Sequence, residues 1–204
     1  MPGESMGVRP GEDGKRRCWW CLGSPDYLAY HDDEWGRELH GESELFERLT
    51  LEAFQSGLSW LTILRKRENF RAAFDGFEVE RIADYGKREI ARLMADAGIV
   101  RNRAKIEATI ANARATRELH AAGESLDELL WSFAPEPDSR AAPRSGHDLE
   151  PTTAESKAMA KELKRRGFVF VGPTTAYSTM EAVGMVNDHL AECEFRALAG
   201  PPAS

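Results

Sequence analysis

Near its start the chain reads CWWCLGSPDYLAYHDDEWG, offering Cys18 and Cys21 in Cys-x-x-Cys spacing and then His31. Near its end NDHLAEC places His189 four residues before Cys193, so that on a helix the two side chains would lie one above the other and could chelate one ion. Together the half-sites supply two thiolates and two imidazoles, the closed tetrahedral set of a structural zinc, with no position left for a substrate. Such a site would tie the beginning of the chain to its end and turn binding free energy into folding free energy. Spacing does not choose between Cys18 and Cys21. The competing reading is a set of free buried thiols and of histidines hydrogen-bonded in the core.

A second candidate is Glu52. In SELFERLTLEAFQSGLSW the apolar stripe through Leu45, Leu49 and Ala53 also passes through Glu52, whereas Glu44 and Glu47 fall on other faces. An inward carboxylate costs several kcal/mol unless it is paired, so it either meets an arginine or lines a polar pocket with a task. Most of the tryptophan and tyrosine lies close by in sequence: Trp20, Tyr27, Tyr30, Trp35 and Trp60. These rings are either plain core or the walls of a flat slot, in which a planar heterocycle stacks while the carboxylate accepts from its exocyclic amine.

A third candidate is cationic. IARLMADAGIVRNRAKIEATIANAR reads as helix, tight turn at residues 98–101, and helix from Asn102 onward. Backbone amides at Gly98 and at the start of the second helix can accept a phosphate, and Arg101, Arg103 and Lys105 add positive charge there. LRKRENFR and KELKRRG supply further basic clusters, the second also readable as a solvated helix face. No lysine lies in EIARLMADA, the run before Gly98, so no Schiff-base nucleophile is expected there.

The elements that must position these groups read as helical. Apolar residues recur at helical spacing, as in Ile90, Leu93, Met94 and Ala97, or Leu126, Leu129, Leu130 and Phe133. An all-α fold is expected, with N-caps at Ser43, Ser125 and Thr174 and helix stops at Gly98, Gly123 and Gly167. Only FVFVG, residues 168–172, resembles a strand. Residues 1–16 read as a disordered polar tail and not a signal peptide, residues 17–196 as one helical domain, and residues 197–204 as a C-terminal tail. The Pro- and Ser-rich segment 134–153 reads as a long surface loop that supplies no chemistry. With 204 residues, 42% hydrophobic content and no apolar run of membrane-spanning length, a globular, cytoplasmic, monomeric protein is expected. Three cysteines fit a reducing compartment better than a disulfide framework. A net charge of -7 argues mildly against a nucleic-acid partner, which the local basic clusters offset.

Taken in order, Cys-x-Trp, YHDDEWG, LEAFQSGLSW, AGIVRNRAKI, KRRGFVFVG and VNDHLAEC closely resemble the 3-methyladenine DNA glycosylases of type I, the TAG family of the helix-hairpin-helix superfamily, from about Arg17 to Cys193. The resemblance implies two helical lobes around a cleft, with zinc on Cys18, His31, His189 and Cys193; Cys21 matches no ligand. It implies a base pocket of Trp20, Tyr30, Trp35, Glu52 and Trp60, with Glu52 as the catalytic, base-reading carboxylate. Leu58, beside Gly57, matches the residue that wedges into the DNA stack. Trp19 and Ala53 stand where the family usually carries glycine. The implied activity is base-excision repair of alkylated double-stranded DNA: monofunctional hydrolysis of the glycosidic bond, releasing 3-methyladenine. The rivals are a helical DNA-binding module without chemistry and a pocket that senses free purines.

Overall fold

Ser24 accepts a hydrogen bond from Tyr27 N, and Pro25 occupies the first helical position, so α1 (Pro25–Asp33) starts as sequence rules demand. The structure, a computed structural model, describes residues 6–136 and 139–199. Eight more helices follow: α2 (Glu42–Gln55), α3 (Trp60–Ala73), α4 (Val79–Ala83), α5 (Lys87–Ala95), α6 (Arg103–Ala121), α7 (Leu126–Trp131), α8 (Ala154–Arg165) and α9 (Pro173–Ala182). Ser59, Asn102, Ser125 and Thr153 cap α3, α6, α7 and α8 through side-chain oxygens. Helix α2 is the hub, packed against α3, α6, α7 and α9, while α4 lies along α6 and α8 along α9. Ten of its residues from Leu45 to Phe54 are buried, because contacts surround it on several sides.

One continuous apolar cluster, including Phe46, Phe54, Phe70, Phe74 and Phe77, fills the centre. Trading these faces for water supplies the main drive to fold, at about 25 cal/mol per Å² of apolar surface buried. A smaller cluster of Cys18, Leu190 and Cys193 packs beside it with Trp19, Trp20 and Phe195. Among the described residues no helix is long and apolar enough to cross a membrane.

Several local expectations are corrected. Gly41, not Ser43, precedes α2, because Glu42 and Asp127 let the starts of α2 and α7 cap each other. The Glu42 carboxylate accepts from Leu126 N and Asp127 N, and the Asp127 carboxylate accepts from Gly41 N. Gly172 rather than Thr174 precedes α9, with Pro173 in its first position. Helix α5 already ends at Asp96, before Gly98; Gly123 and Gly167, at φ 77° and 93°, do stop their helices in the left-handed region. The strand-like residues 168–172 form a loop whose Val169 backbone is held through both its N–H and its C=O by the Asn112 carboxamide.

The expected disorder of residues 1–16 also fails within the described part. Val8–Pro10 pairs antiparallel with Arg16–Cys18, and the buried Arg17 holds Asp13 and Asp32 together. Residues 1–5 lie outside the described residues, as do 200–204 of the expected C-terminal tail; Arg196–Leu198 forms a short 3-10 turn. The loop 134–153 is docked: Gly146 N donates to Met6 O, and a Cβ at Gly146 would collide with the Trp19 ring.

Candidate active site and metal cluster

Helices α1, α2, α3 and α9 meet around a cavity of about 310 Å³ lined by Trp20, Tyr30, Trp35, Glu52 and Trp60, all five of the expected pocket residues. Trp20 meets Trp35 edge-on at 5.0 Å between ring centres, and Tyr30 meets Trp60 at 5.4 Å. Edge-on neighbours buttress one another and leave ring faces for a planar guest. Tyr27, which also lines the cavity, donates no strength by chance: its hydroxyl accepts from Leu61 N in the first turn of α3, fixing that helix's entry beside the pocket.

Glu52 is only 6% exposed. Burial pushes its carboxyl up to about 8, against a smaller opposing pull from Arg48 one turn earlier. Arg48 donates through Nη2 to Glu34 and stacks over the Tyr30 ring; among the described residues its Nη1 has no partner and no ion pair joins it to Glu52. The arginine-pair reading therefore does not describe Glu52. It does describe Glu47, which is buried against the expectation from helical phase and is held by Arg71. Burial also pushes the Tyr30 hydroxyl far up, so at neutral pH it stays a hydrogen-bonding phenol. The Trp60 indole N–H has no partner among the described residues. The pocket thus offers a buried carboxyl and aromatic walls.

Sequence reasoning missed Gln55, Leu149, Ser178 and Glu181, which also line the cavity. Gln55 lies three residues after Glu52 on the same helix face, and Ser178 and Glu181 repeat that spacing on α9. Helical phase could have grouped each pair, but nothing local says that α9 faces α2. Leu149 shows that the loop 134–153, expected to supply no chemistry, adds an apolar side chain to the cavity wall.

The predicted DNA-facing residues are only partly arranged as expected. After α2 the chain turns at Gly57, φ 83°, and presents Leu58 at 41% exposure, an apolar side chain standing out beside the pocket. Arg101 and Arg103 are exposed, Arg103 lying 3.3 Å from Glu107. Lys105 is turned inward: its ammonium donates to Phe54 O and Ser56 O, satisfying the carbonyl end of α2 instead of waiting for phosphate. The Gly98 N–H donates to the Asp96 carboxylate, so that amide is occupied, and Lys66 donates to Ala97 O and Gly98 O. Arg67 and Arg71 are likewise spent on Glu34 and Glu47, and Arg165 and Arg166 on Glu162.

The side-chain ligand atoms of Cys18, His31, His189 and Cys193 lie within 4.8 Å of one another, all four residues buried. His189 and Cys193 are joined by turns, not by the expected helix, with Cys193 N donating to Leu190 O. Tautomers follow from partners that only accept. His31 Nδ1 donates to Asp32 Oδ1 at 2.8 Å and His189 Nε2 to Trp35 O at 3.1 Å. The other nitrogen of each ring faces Cys193 Sγ, 3.5 Å away in both cases. Gly36, at φ 75°, keeps the close approach open, since a Cβ there would sit 3.3 Å from the His189 ring. The hydrogen bond between Cys18 and Cys193 pushes the first thiol up and draws the second down, and the His189 and His31 rings lower the second further. Pre-oriented imidazoles beside two thiols fit a metal that demands neutral nitrogen and thiolate donors. Cys21 is outside this group; its thiol donates to Cys18 O and burial pushes it up to about 12.

Comparison with known proteins places this arrangement. The methyladenine glycosylase family model matches residues 20–197. DNA-3-methyladenine glycosylase 1 of Escherichia coli (strain K12) is 44% identical over 177 residues, covering 87% of this chain and 95% of that protein. A crystal structure of 3-methyladenine DNA glycosylase I (TAG) superposes with a TM-score of 0.84 at 45% identity, over 87% of this chain and 98% of that one. A variant of such an enzyme in complex with 3-methyladenine matches with a TM-score of 0.83 at 35% identity, over 88% of this chain and 97% of the other. The chain therefore belongs to the methyladenine glycosylase family, and is a DNA-repair glycosylase.

Proposed function

We propose that the cavity receives 3-methyladenine flipped out of alkylated double-stranded DNA and that Glu52 carries the selectivity for it. The observation that supports this most strongly is a buried carboxyl without an ion-pair partner among the described residues, on the wall of an aromatic slot. Adenine methylated at N3 is cationic, so its glycosidic bond is already weakened and no strong general acid is needed. An ionised Glu52 complements the cation, the tryptophans stack on it, and water attacks the oxocarbenium-like sugar. Binding the cation draws the proton off Glu52, because an adjacent positive charge favours the carboxylate.

Leu58 fills the gap left in the base stack, with Gly57 supplying the turn. Arg101 and Arg103, at the helix-hairpin-helix formed by α5 and α6, meet the backbone phosphates. The pocket lies between two helical lobes on this reading. Cys18, His31, His189 and Cys193 hold one structural zinc, which when bound would fasten the N-terminal ribbon to the chain's end and take no part in chemistry. Asp32, hydrogen-bonded to His31 and to the buried Arg17, orients the first imidazole.

The test is release of free base from N-methylated duplex DNA. Wild-type protein should liberate 3-methyladenine and leave an intact strand that breaks only on alkaline treatment, as expected of a monofunctional hydrolase. Glu52→Ala should bind the duplex yet release base at least about a hundredfold more slowly. Protein that binds such DNA and liberates no base would rule the activity out.

A further inference from the structure

A second acid lines the same cavity as Glu52. Glu181 lies on α9, one turn beyond Ser178, and α9 packs directly against α2, which brings Glu52 and Gln55 from the other side. No arginine or lysine forms an ion pair with Glu181 among the described residues. Its neighbour behind the wall is Asp188, against which its carboxyl rests. Asp188 in turn accepts from Tyr177 Oη at 2.5 Å and lies 3.6 Å from Arg140.

Two carboxyls in buried contact need a proton between them. Burial first, then the charges of Asp188 and Glu52, push Glu181 well above the usual carboxylate range. Glu181 lines the cavity, and a carboxyl oxygen not engaged by Asp188 can serve there as an acceptor.

We infer that Glu181 is a second base-reading residue, accepting from one N–H of the guest's exocyclic amine while Glu52 accepts from the other. An amino group has two N–H donors, and two acceptor oxygens on facing walls can satisfy both. A carbonyl oxygen at the same ring position would meet two acceptors and no donor, so the pair selects an amino purine over a 6-oxo purine. The inference deepens the reading of the cavity as a 3-methyladenine site and rests on it.

The chemistry makes glutamine a faithful replacement, because its carboxamide N–H can donate to Asp188 while its carbonyl faces the base. Leucine keeps the bulk and offers neither. The experiment measures affinity for free 3-methyladenine by quenching of tryptophan fluorescence, single-turnover base release from methylated duplex, and affinity for the duplex. For Glu181→Leu, free-base affinity and release should each fall at least about tenfold, with duplex affinity within about twofold of wild type. For Glu181→Gln, all three should stay within roughly threefold. If the leucine variant does not fold, Glu181→Ala is held to the same thresholds. The inference is overturned if the apolar variant binds and releases base within about twofold of wild type, or if Glu181→Gln is as impaired as the apolar variant. Should wild-type protein bind free 3-methyladenine but release none from DNA, the enzymatic reading fails while free-base affinity still decides the role of Glu181.

Discussion

Glu52 lowers the stability of the fold that holds it. Burial pushes its folded carboxyl up to about 8 from the ordinary 4.5, so between those values the folded state holds a proton that the unfolded state has released. Stability is then lost as pH rises from about 4.5 to 8. Replacing the acid with Glu52→Gln should raise stability at pH 7 by on the order of 2–3 kcal/mol while abolishing selectivity, which urea unfolding of the two proteins would measure. A variant less stable than wild type at pH 7 would contradict the burial argument. The inward direction of Glu52 was legible because one charged residue fell on an apolar stripe. Glu47 was misread because α2 is enclosed on more sides than one stripe implies, and its burial depends on Arg71 arriving from α3. Lys105 was misread for the same kind of reason: a lysine in a basic run looks exposed until the carbonyl end of α2 is known to lie above it.

At the scale of elements, the short turn from Ser56 to Ser59 joins the cavity wall to the exposed Leu58. The Lys105 ammonium ties the start of α6 to the end of α2, so the segment that displays Leu58 is braced against the hairpin. Lys105→Met leaves two carbonyls without their donor and should cost about 1–3 kcal/mol in stability, read from thermal melting. It should also slow base release from duplex more than it weakens binding of free 3-methyladenine, since the Leu58 that it braces is proposed to act on the duplex alone. Leu58→Ala should reduce excision from duplex by about tenfold and leave free-base affinity unchanged. Equal losses in both measurements would mean that Leu58 shapes the pocket instead. Helix existence and several caps could be read directly, as at Ser125. The caps that failed, Ser43 and Thr174, were displaced by a long-range exchange between Glu42 and Asp127 and by Pro173, of which only the second is written locally.

For the whole molecule, the Cys/His cluster brings residues 18 and 31 to residues 189 and 193, and the N-terminal ribbon packs beside it. If zinc is the clasp, Cys193→Ala should lose the metal and melt well below wild type, whereas Cys21→Ala should keep one equivalent and melt like wild type. Elemental analysis with thermal melting checks both, and retention by the first with loss by the second would overturn the assignment. Spacing alone exposed two half-sites and left Cys18 and Cys21 level. What separates them in the structure is the direction of each thiol, Cys18 toward Cys193 and Cys21 back to its own turn. The N-terminal ribbon was illegible because its order depends on partners far along the chain, Arg16 N donating to Glu194 and Gly146 N to Met6 O.

The central claim is that a buried Glu52, ionised by its cationic guest, drives excision. It is tested most directly by the single-turnover rate of 3-methyladenine release from methylated duplex, followed against pH for wild type and Glu52→Gln. The account predicts that kcat/KM for wild type rises with pH and levels near 8, the value of the free carboxyl, while the variant is at least about a hundredfold slower and shows no such rise. A glutamine variant within roughly threefold of wild type, with the same pH profile, would contradict it.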